Sequence, residues 1–220
     1  MLVKGLKVKI NGKIILDLDV ALALSQGINL ILGPNGSGKT TLLRTIIGMI
    51  KPYQGEIEKK EELSYSPSEF YSPNIKVKDV ILSGKKKGEY EKFTKILDIE
   101  TLLDRDFMTL SSGEKRKVII AKALAEGDLV IMDEPFSNLD ISNRKKIIDT
   151  LVSLKREKQF LITSHELDIV NFADNVIVMK KGKIVYQGDK EGITEELLSS
   201  VYETPIRKVS INDYTFFITY

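Results

Sequence analysis

The sequence has no cysteine among its 220 residues, and it has a single histidine. Without thiols the chain has no means of forming disulfides, thiolate metal sites or a cysteine nucleophile, and this absence fits a reducing compartment. An excess of one charge is lacking too, because 33 Lys and Arg face 31 Asp and Glu, for a net charge of +2. That near balance predicts no long-range attraction to nucleic acid or to anionic lipid.

Long apolar segments are also missing. The longest apolar-leaning run, over 20–32, is interrupted by Ser25, Gln26, Gly27 and Asn29 and is too short to cross a bilayer. The first residues lack a charged leader followed by an apolar stretch, so we expect no signal peptide. With 42% hydrophobic residues the chain has enough apolar surface for a substantial core. Any work at a membrane is therefore expected to proceed through partner subunits.

Two kinds of periodicity indicate the fold class. Residues 2–10 and 14–24 alternate between apolar and polar positions around Asn11-Gly12, which predicts an antiparallel hairpin. Further along, short apolar strands alternate with segments of helical periodicity, and this order is typical of a largely parallel sheet covered on both faces. The strands are predicted at 28–32, 129–132 and 160–163, the helices at 39–50, 111–126, 142–157 and 166–172, and a hairpin at 175–179 and 183–186.

The stretch from about 66 to 110 has a different character. Pro67 and Pro73 open it, and two or three short amphipathic helices fit the remainder. The run Lys85-Lys86-Lys87-Gly88 predicts a solvated loop within it. We therefore predict an α/β domain into which a short helical segment is inserted.

A glycine-rich segment follows the strand at 28–32 and precedes a predicted helix. It matches the P-loop pattern without a mismatch, and the expected nucleotide-binding set extends one residue further, to Thr41. Glycines allow backbone N–H groups to curl around phosphates, to which the helix N-terminus adds its partial positive charge. Lys39 is expected to reach the β- and γ-phosphates of ATP, and the Thr40 hydroxyl to ligate Mg²⁺. The segment is Gly33-Pro34-Asn35-Gly36-Ser37-Gly38-Lys39-Thr40.

Two acids end the apolar strand at 129–132. Because the carboxyl ends of parallel strands meet at one edge of a sheet, Asp133 and Glu134 are expected beside the P-loop. We predict that Asp133 holds Mg²⁺, through water, and that Glu134 orients and deprotonates the attacking water. A surface acidic turn after a strand would look the same, so the P-loop is what favours the catalytic interpretation.

A second motif, Leu110-Ser111-Ser112-Gly113-Glu114, lies upstream of the acidic pair. Its Ser-x-x-Glu spacing predicts a capping box at a helix start. The same residues resemble the signature motif of the ATP-binding cassette (ABC) family, in which this helix N-terminus faces the γ-phosphate bound by the opposite subunit. On that resemblance Ser111 and Gly113 are expected to contact nucleotide across a dimer.

Other segments also resemble this family, and the resemblance covers essentially the whole chain. Ser137-Asn138-Leu139-Asp140 resembles its D-loop, and His165 resembles its switch histidine. The resemblance implies a nucleotide-binding core at about 1–68 and 126–220, and a helical lobe at about 69–125 that carries the signature. It also implies a head-to-tail dimer that encloses two ATP, with His165 on the same phosphate as Lys39.

The sequence departs from the family pattern at several places. The family usually stacks adenine on an aromatic residue in the first hairpin, and the corresponding place here is near Ile10 or Asn11. A glutamine that contacts the metal site should fall at Ser68, so we expect Ser68, or else Glu69, to contribute an oxygen there. The signature itself has Ser112 for glycine and Glu114 for glutamine. Coupling between ATP and the helical lobe is the property most affected by these changes.

The leading hypothesis is the ATP-hydrolysing subunit of an ABC transporter, cytoplasmic and attached to the membrane face through separate permease chains. Residues 192–206 resemble the end of ATPases for iron-chelate and cobalamin importers, whereas the short lobe equally resembles small export-type cassettes. Import and export therefore stay open at this point, as do the transported substrate and an identical or a different partner cassette.

Two alternatives to a transporter subunit are considered. A soluble cassette ATPase acting on nucleic acid is disfavoured by the balanced charge and by the short separation of the P-loop from the signature. A degenerate regulatory cassette, which would bind ATP without turnover, is suggested by Ile10 and Ser68. The presence of both Glu134 and His165 argues against it.

Overall fold

The computed structural model describes residues 1–59, 61–84 and 89–219. The lysine run for which the sequence predicts a loop, 85–88, lies outside the described residues. In chain order the strands are β1 (Leu2–Ile10), β2 (Lys13–Asp17), β3 (Leu22–Ala23), β4 (Ile28–Leu32), β5 (Gln54–Glu58), β6 (Leu63–Ser66), β7 (Leu129–Asp133), β8 (Gln159–Ser164), β9 (Asn175–Lys180), β10 (Lys183–Gly188), β11 (Ile206–Ile211) and β12 (Tyr214–Thr219).

Most of the helices are short, and the two longest come from the middle of the sequence. The α-helices are α1 (Lys39–Ile46), α2 (Val77–Leu82), α3 (Tyr90–Ile96), α4 (Ser112–Glu126), α5 (Ile141–Leu154) and α6 (Glu195–Tyr202). Three 3₁₀ helices cover Glu100–Leu102, Phe107–Thr109 and Leu167–Phe172. Across the part of the chain that the structure describes, no helix is both long and apolar enough to traverse a lipid bilayer.

A mainly parallel sheet forms the centre, with the strand order β10-β9-β4-β8-β7-β6. The neighbouring pairs from β9 to β6 are parallel, and only β10 joins its neighbour in the antiparallel direction. Every residue of β4 and β7 is buried, which is why these segments are continuous apolar runs rather than alternating ones. The predicted α/β class with a largely parallel sheet is confirmed.

A smaller antiparallel sheet precedes it. Strand β1 pairs with β2, β3 and β5, and Asn11 and Gly12 turn the chain at positive φ between β1 and β2. The predicted N-terminal hairpin is therefore confirmed. The predicted second strand, 14–24, is wrong in its continuity, because the chain leaves the sheet after Asp17 and returns at Leu22.

Two apolar layers enclose the central sheet, because successive side chains of a strand point to opposite faces. Within β7, Ile131 packs with α1 and the antiparallel sheet, whereas Val130 and Met132 pack on the other face. That second face is covered by α4, α5 and the helical stretch before α4, whose Phe107 is fully buried. Each such side chain contributes roughly 1.5–3 kcal/mol on burial.

Two helix predictions are wrong in detail. The helix predicted over 39–50 ends at Ile46, where Gly48 takes φ 86° and the next N–H groups bond back to Arg44 and Thr45. The helix predicted over 166–172 is a 3₁₀ helix over Leu167–Phe172. Only a short connection joins β8 to β9, and the tighter 3₁₀ turn suits such short links.

Candidate functional site

The glycine-rich segment 33–38 forms a turn between β4 and α1. Gly36 and Gly38 adopt φ of 78° and 103°, which side-chain-bearing residues rarely take. At Gly38 a Cβ would also lie 2.6 Å from Leu16 Cδ2, so the end of the Leu16 side chain would have to shift to accommodate it. Gly38 caps α1 without a side-chain hydrogen bond, and the first turn of α1 has no acidic residue. The N–H groups of that turn, together with the helix dipole, are therefore suited to bind an anion.

The Lys39 ammonium points into this turn, and Lys39 is only 6% exposed. Its Nζ donates to the Gly33 carbonyl oxygen at 2.6 Å and lies 3.4 Å from the Pro34 carbonyl oxygen. It is also 3.4 Å from Glu134 Oε1. Since two of these three partners are neutral, an anionic ligand in the same cleft would compete strongly for the cation.

The Asp133 carboxylate is completely buried and surrounded by hydroxyl groups. Oδ1 accepts from Thr163 at 2.7 Å and from Thr40 at 3.1 Å, while Oδ2 accepts from Ser68 at 3.2 Å. A buried carboxylate with hydroxyl oxygens around it is a donor set of the kind that Mg²⁺ prefers. The described residues contain no cluster of three or more His, Cys, Asp or Glu for a metal. The oxygens around Asp133 therefore suit a cation such as Mg²⁺ that takes its other ligands from phosphate and water.

Glu134 lies between a cation and an imidazole. Its Oε2 is 2.9 Å from His165 Nδ1, and its Oε1 faces Lys39. The backbone N–H of Glu134 donates to the Thr163 hydroxyl at 2.9 Å, and its φ is 48°. A positive φ at a non-glycine residue costs of order 1–3 kcal/mol and is typical of functional sites. The strain turns this carboxylate away from the buried strand and towards the cleft.

Lys39, Thr40 and Glu134 line a cleft of about 370 Å³ at the carboxyl edge of the sheet. Ile15 forms one wall, which the sequence did not indicate. The residues around it are Ile15, Asn35, Gly36, Ser37, Gly38, Lys39, Thr40, Thr41 and Glu134.

The first hairpin contributes one side chain to the wall of the cleft. Ile10 is the last residue of β1 and Asn11 lies in the exposed turn after it, whereas Ile15 of β2 lines the cleft. The register between β1 and β2 shifts between Val8 and Lys9, which brings Ile15 towards the P-loop. The bulge has no signature in the residue pattern, so the sequence could not have identified Ile15.

The signature residues are built as expected locally but lie outside this cleft. Ser111 caps α4, its Oγ accepts from the Glu114 N–H at 3.2 Å, and Glu114 Oε2 accepts from the Ser111 N–H at 2.8 Å. That backbone bond holds the pKa of Glu114 below its usual value. Gly113 is buried, and a Cβ there would lie 2.5 Å from Asn143 Nδ2. Ser111 therefore lies at an exposed helix end, with the buried Gly113 behind it.

The predicted D-loop leads directly into α5. Asp140 is the N-cap of α5 and accepts from the Asn143 N–H at 2.8 Å. Its hydrogen bonds to Asn143 hold the pKa of the Asp140 carboxyl below its ordinary value. Since Asn143 also contacts Gly113, the D-loop and the signature are packed against one another at adjoining helix starts.

Besides Ile15, sequence reasoning missed four residues around the site. Thr163 bonds Asp133 at the end of β7 and Glu134 directly after it, and Arg116 bonds the segment that carries Ser68. Arg144 pairs with Glu166, next to His165, at 2.8 Å. Tyr202, at the end of α6, lines a second cavity of about 210 Å³ behind the P-loop.

Tyr202 is far from the P-loop in the sequence. Burial raises its pKa, as does the nearby charge of Glu134, whereas the Gly33 backbone lowers it. No local pattern identifies it, because a tyrosine on a short amphipathic helix is usually part of the core.

Comparisons with known proteins agree on one family. Residues 18–137 match the ABC transporter family. A probable iron chelatin transport ATP-binding protein from Helicobacter pylori is 32% identical, with 96% of each chain covered. A putative ABC transporter ATP-binding protein from Streptococcus mutans is 31% identical, with 98% of this chain and 96% of the relative covered.

A solved structure extends the likeness to three dimensions. The structure, described as an inward-facing conformation of a putative metal-chelate type ABC transporter, superimposes with a TM-score of 0.87 at 25% identity. The match covers 100% of this chain and 97% of that one. The likeness therefore includes the central sheet, the antiparallel sheet and the helices together.

Proposed function

The chain belongs to the ABC transporter family, whose ATP-binding subunits hydrolyse ATP to drive transport, and from that premise we propose how its residues perform this reaction. The observation that carries the proposal is the position of Glu134 between Lys39 and His165, beside the buried Asp133. The net reaction converts ATP and water to ADP and phosphate.

Binding of ATP is assigned to the turn 33–38, the first turn of α1 and Thr41. The backbone N–H groups of the turn receive the phosphate oxygens, and the α1 dipole adds favourable charge. Lys39 leaves the Gly33 carbonyl for the β- and γ-phosphates, because a bond between opposite charges is stronger than a bond to a neutral carbonyl. Ile15 offers the base an aliphatic rather than an aromatic wall.

Magnesium is assigned to the hydroxyl-lined end of the site. Thr40 and Asp133 would hold the ion, and Ser68, whose hydroxyl donates to Asp133, would contribute a further oxygen. When bound, Mg²⁺ supplies positive charge that neutralises the phosphate oxygens. Thr163 keeps Asp133 oriented for this role, since its hydroxyl donates to the same carboxylate.

Proton transfer is assigned to Glu134. The carboxylate accepts a proton from the attacking water as the bond from the water oxygen to the γ-phosphorus forms and the bond to the β–γ bridging oxygen breaks. The contact between Oε2 and His165 Nδ1 would orient the carboxylate, and His165 is assigned a contact with the γ-phosphate. Lys39 balances the charge that develops on the leaving group.

The partners proposed are a second cassette subunit and membrane permease subunits. The exposed helix end at Ser111, with buried Gly113 behind it, would contact the γ-phosphate held by Lys39 of the other subunit. The helical lobe, about 69–125, would face the permease, which would hold this chain at the cytoplasmic face of the membrane. Relatives described as iron chelatin and molybdenum import ATP-binding proteins favour import of a chelated or oxyanion metal species.

Steady-state release of phosphate by the purified protein tests the proposed chemistry. We expect turnover with MgATP and little without a divalent cation, because Asp133 is itself acidic and Thr40 is neutral, so the positive charge at this end of the phosphates has to come from the metal ion. Co-purification of a membrane partner from the native host tests the transport assignment. A protein that binds ATP but never releases phosphate, alone or with that partner, would instead be the regulatory cassette.

Ser68→Gln is expected to raise turnover severalfold. The Ser68 hydroxyl already reaches Asp133 Oδ2, and a longer amide at this position would extend past the hydroxyl towards the metal and the water assigned beside Asp133. A severalfold change corresponds to about 1 kcal/mol, which is the usual worth of one polar contact. Phosphate release at saturating MgATP measures it.

Glu69→Ala provides the matched control, because Glu69 is the exposed neighbour of Ser68 on the same loop, whereas Ser68 is the residue that donates its hydroxyl to Asp133. We expect its turnover to stay within about twofold of the unmodified protein. If Glu69→Ala lost most of its turnover while Ser68→Gln did not change, Glu69 rather than Ser68 would serve the metal end of the site.

A further inference from the structure

Arg116, on the second turn of α4, is a buried cation with no carboxylate in salt-bridge distance among the described residues. It is 6% exposed, and burial lowers the pKa of its guanidinium. The group instead donates to two backbone oxygens of one short loop, to Pro67 O at 2.5 Å and to Ser68 O at 2.6 Å. A guanidinium used in this way fixes the position of a peptide segment in two directions at once.

The same loop is also held by aromatic contacts. The Arg116 guanidinium carbon lies 5.1 Å from the centre of the Phe70 ring, and Phe70 packs against the buried Phe107 at 6.1 Å between ring centres. Residues 67–70 are therefore attached to α4 and its neighbouring helices. The loop 67–70 directly follows strand β6, which pairs with β7.

The other end of this connection reaches the proposed metal site. Ser68 offers its carbonyl oxygen to Arg116 and donates its hydroxyl to Asp133 Oδ2 at 3.2 Å. One residue therefore joins α4 to the buried carboxylate. Asp133 also contributes the main electrostatic stabilisation of the Arg116 charge, although it does not contact it directly.

The helix that carries Arg116 also carries the capping box. Ser111 and Arg116 lie in the first two turns of α4, so the two move together unless the helix breaks. A ligand that changes the position of the exposed Ser111 end would then change the position of Ser68 as well. The reverse also holds, since coupling between two sites is reciprocal.

On this geometry, and resting on the proposed function, we propose that Arg116 is a positioning residue that links the start of α4 to the Mg²⁺ end of the site by holding Ser68 against Asp133. Arg116 contacts neither nucleotide nor water in this arrangement. Its effect passes through the Ser68 hydroxyl alone.

The proposal predicts a selective change in Arg116→Met, which removes both loop bonds and keeps a long apolar stem. The Mg²⁺ concentration that gives half of the maximal turnover should rise about tenfold, because the Ser68 hydroxyl is no longer held at Asp133. Binding of an ATP analogue without Mg²⁺ should stay within about twofold, since the Lys39 contacts remain. Arg156→Met, an exposed change at the end of α5, is the matched control.

A readout independent of turnover uses the analogue itself. The gain in affinity that Mg²⁺ confers on a fluorescent ATP analogue should shrink in Arg116→Met and in Ser68→Ala, and by no further amount when both are combined. Such non-additivity is expected only if the two residues act through one connection. Arg116→Lys, which keeps the charge but loses the two-pronged geometry, should fall between the unmodified protein and Arg116→Met, and it serves if Arg116→Met does not fold.

Several outcomes would overturn the proposal. Additive effects in the double variant would show that Arg116 and Ser68 act separately. A lower melting temperature with an unchanged Mg²⁺ dependence in Arg116→Met and Arg116→Lys would show a purely structural role. If the unmodified protein hydrolyses ATP and these variants keep its Mg²⁺ dependence, this inference fails while the proposed function stands. If neither the unmodified protein nor any variant hydrolyses ATP, the proposed function is contradicted instead.

Discussion

Lys39→Ala is expected to lose tight binding of MgATP, with an affinity roughly a hundredfold weaker. The reason is the loss of a charge-assisted contact worth up to about 3 kcal/mol. The ammonium is the one side-chain cation that the structure places among the cleft-lining residues, and it is nearly fully buried there. Its removal leaves the phosphates with backbone N–H groups and the helix dipole only. Equilibrium titration with a fluorescent ATP analogue measures the change.

Lys51→Ala is the control for this experiment, because Lys51 is exposed and lies beyond the end of α1. We expect its affinity to match that of the unmodified protein. Lys39 also bonds the Gly33 carbonyl in the free protein, so a melting curve should accompany the titration. Unaltered affinity in a folded Lys39→Ala protein would contradict the assignment of the turn 33–38 to phosphate binding.

Glu134→Gln is expected to abolish hydrolysis while ATP binding is kept. The amide has the shape of the carboxylate but does not accept the proton of the attacking water, and loss of a general base lowers rates by about 10²–10⁴-fold. The substitution also removes the charge that faces Lys39 at 3.4 Å, which frees the ammonium for the phosphates. The ATP-bound dimer should therefore accumulate, because its turnover no longer dissociates it.

Phosphate release and size-exclusion chromatography, with and without MgATP, test both parts of this expectation. Glu157→Gln is the matched control, since Glu157 is exposed and pairs with Lys92. The control should hydrolyse ATP normally and show no additional dimer. If Glu134→Gln turned over at the normal rate and stayed monomeric with ATP, another group would be the base.

Local patterns were sufficient for much of the site. Lys39 and Thr40 belong to a contiguous motif, and Asp133 and Glu134 end an apolar strand, so their meeting at one sheet edge follows from the parallel order of strands. The structure places His165 beside Glu134, directly after β8. Each of these inferences needs only a motif and the class of the fold.

Long-range contacts were not accessible in the same way. Arg116 and Tyr202 each approach the site from segments whose periodicity indicates ordinary helix, and their partners lie far away in the sequence. Ile15 lines the cleft and lies at a register shift between β1 and β2. Ile15 lies at a bulge, Tyr202 at a helix terminus, and Arg116 is a buried cation. The position of each side chain is determined by packing between elements, which local sequence patterns do not reveal.

By itself, the sequence determined the α/β class, the order of the main elements, and the position of the glycine-rich turn and the acidic pair at the strand ends. These depend on local periodicity and on glycine conformations, which a short segment specifies. Only the tertiary structure decided that the Ser68 hydroxyl, rather than the exposed Glu69, reaches Asp133, and that Arg116 holds it there. Such choices depend on where β6, β7 and α4 pack against one another, and that placement is a property of the whole core.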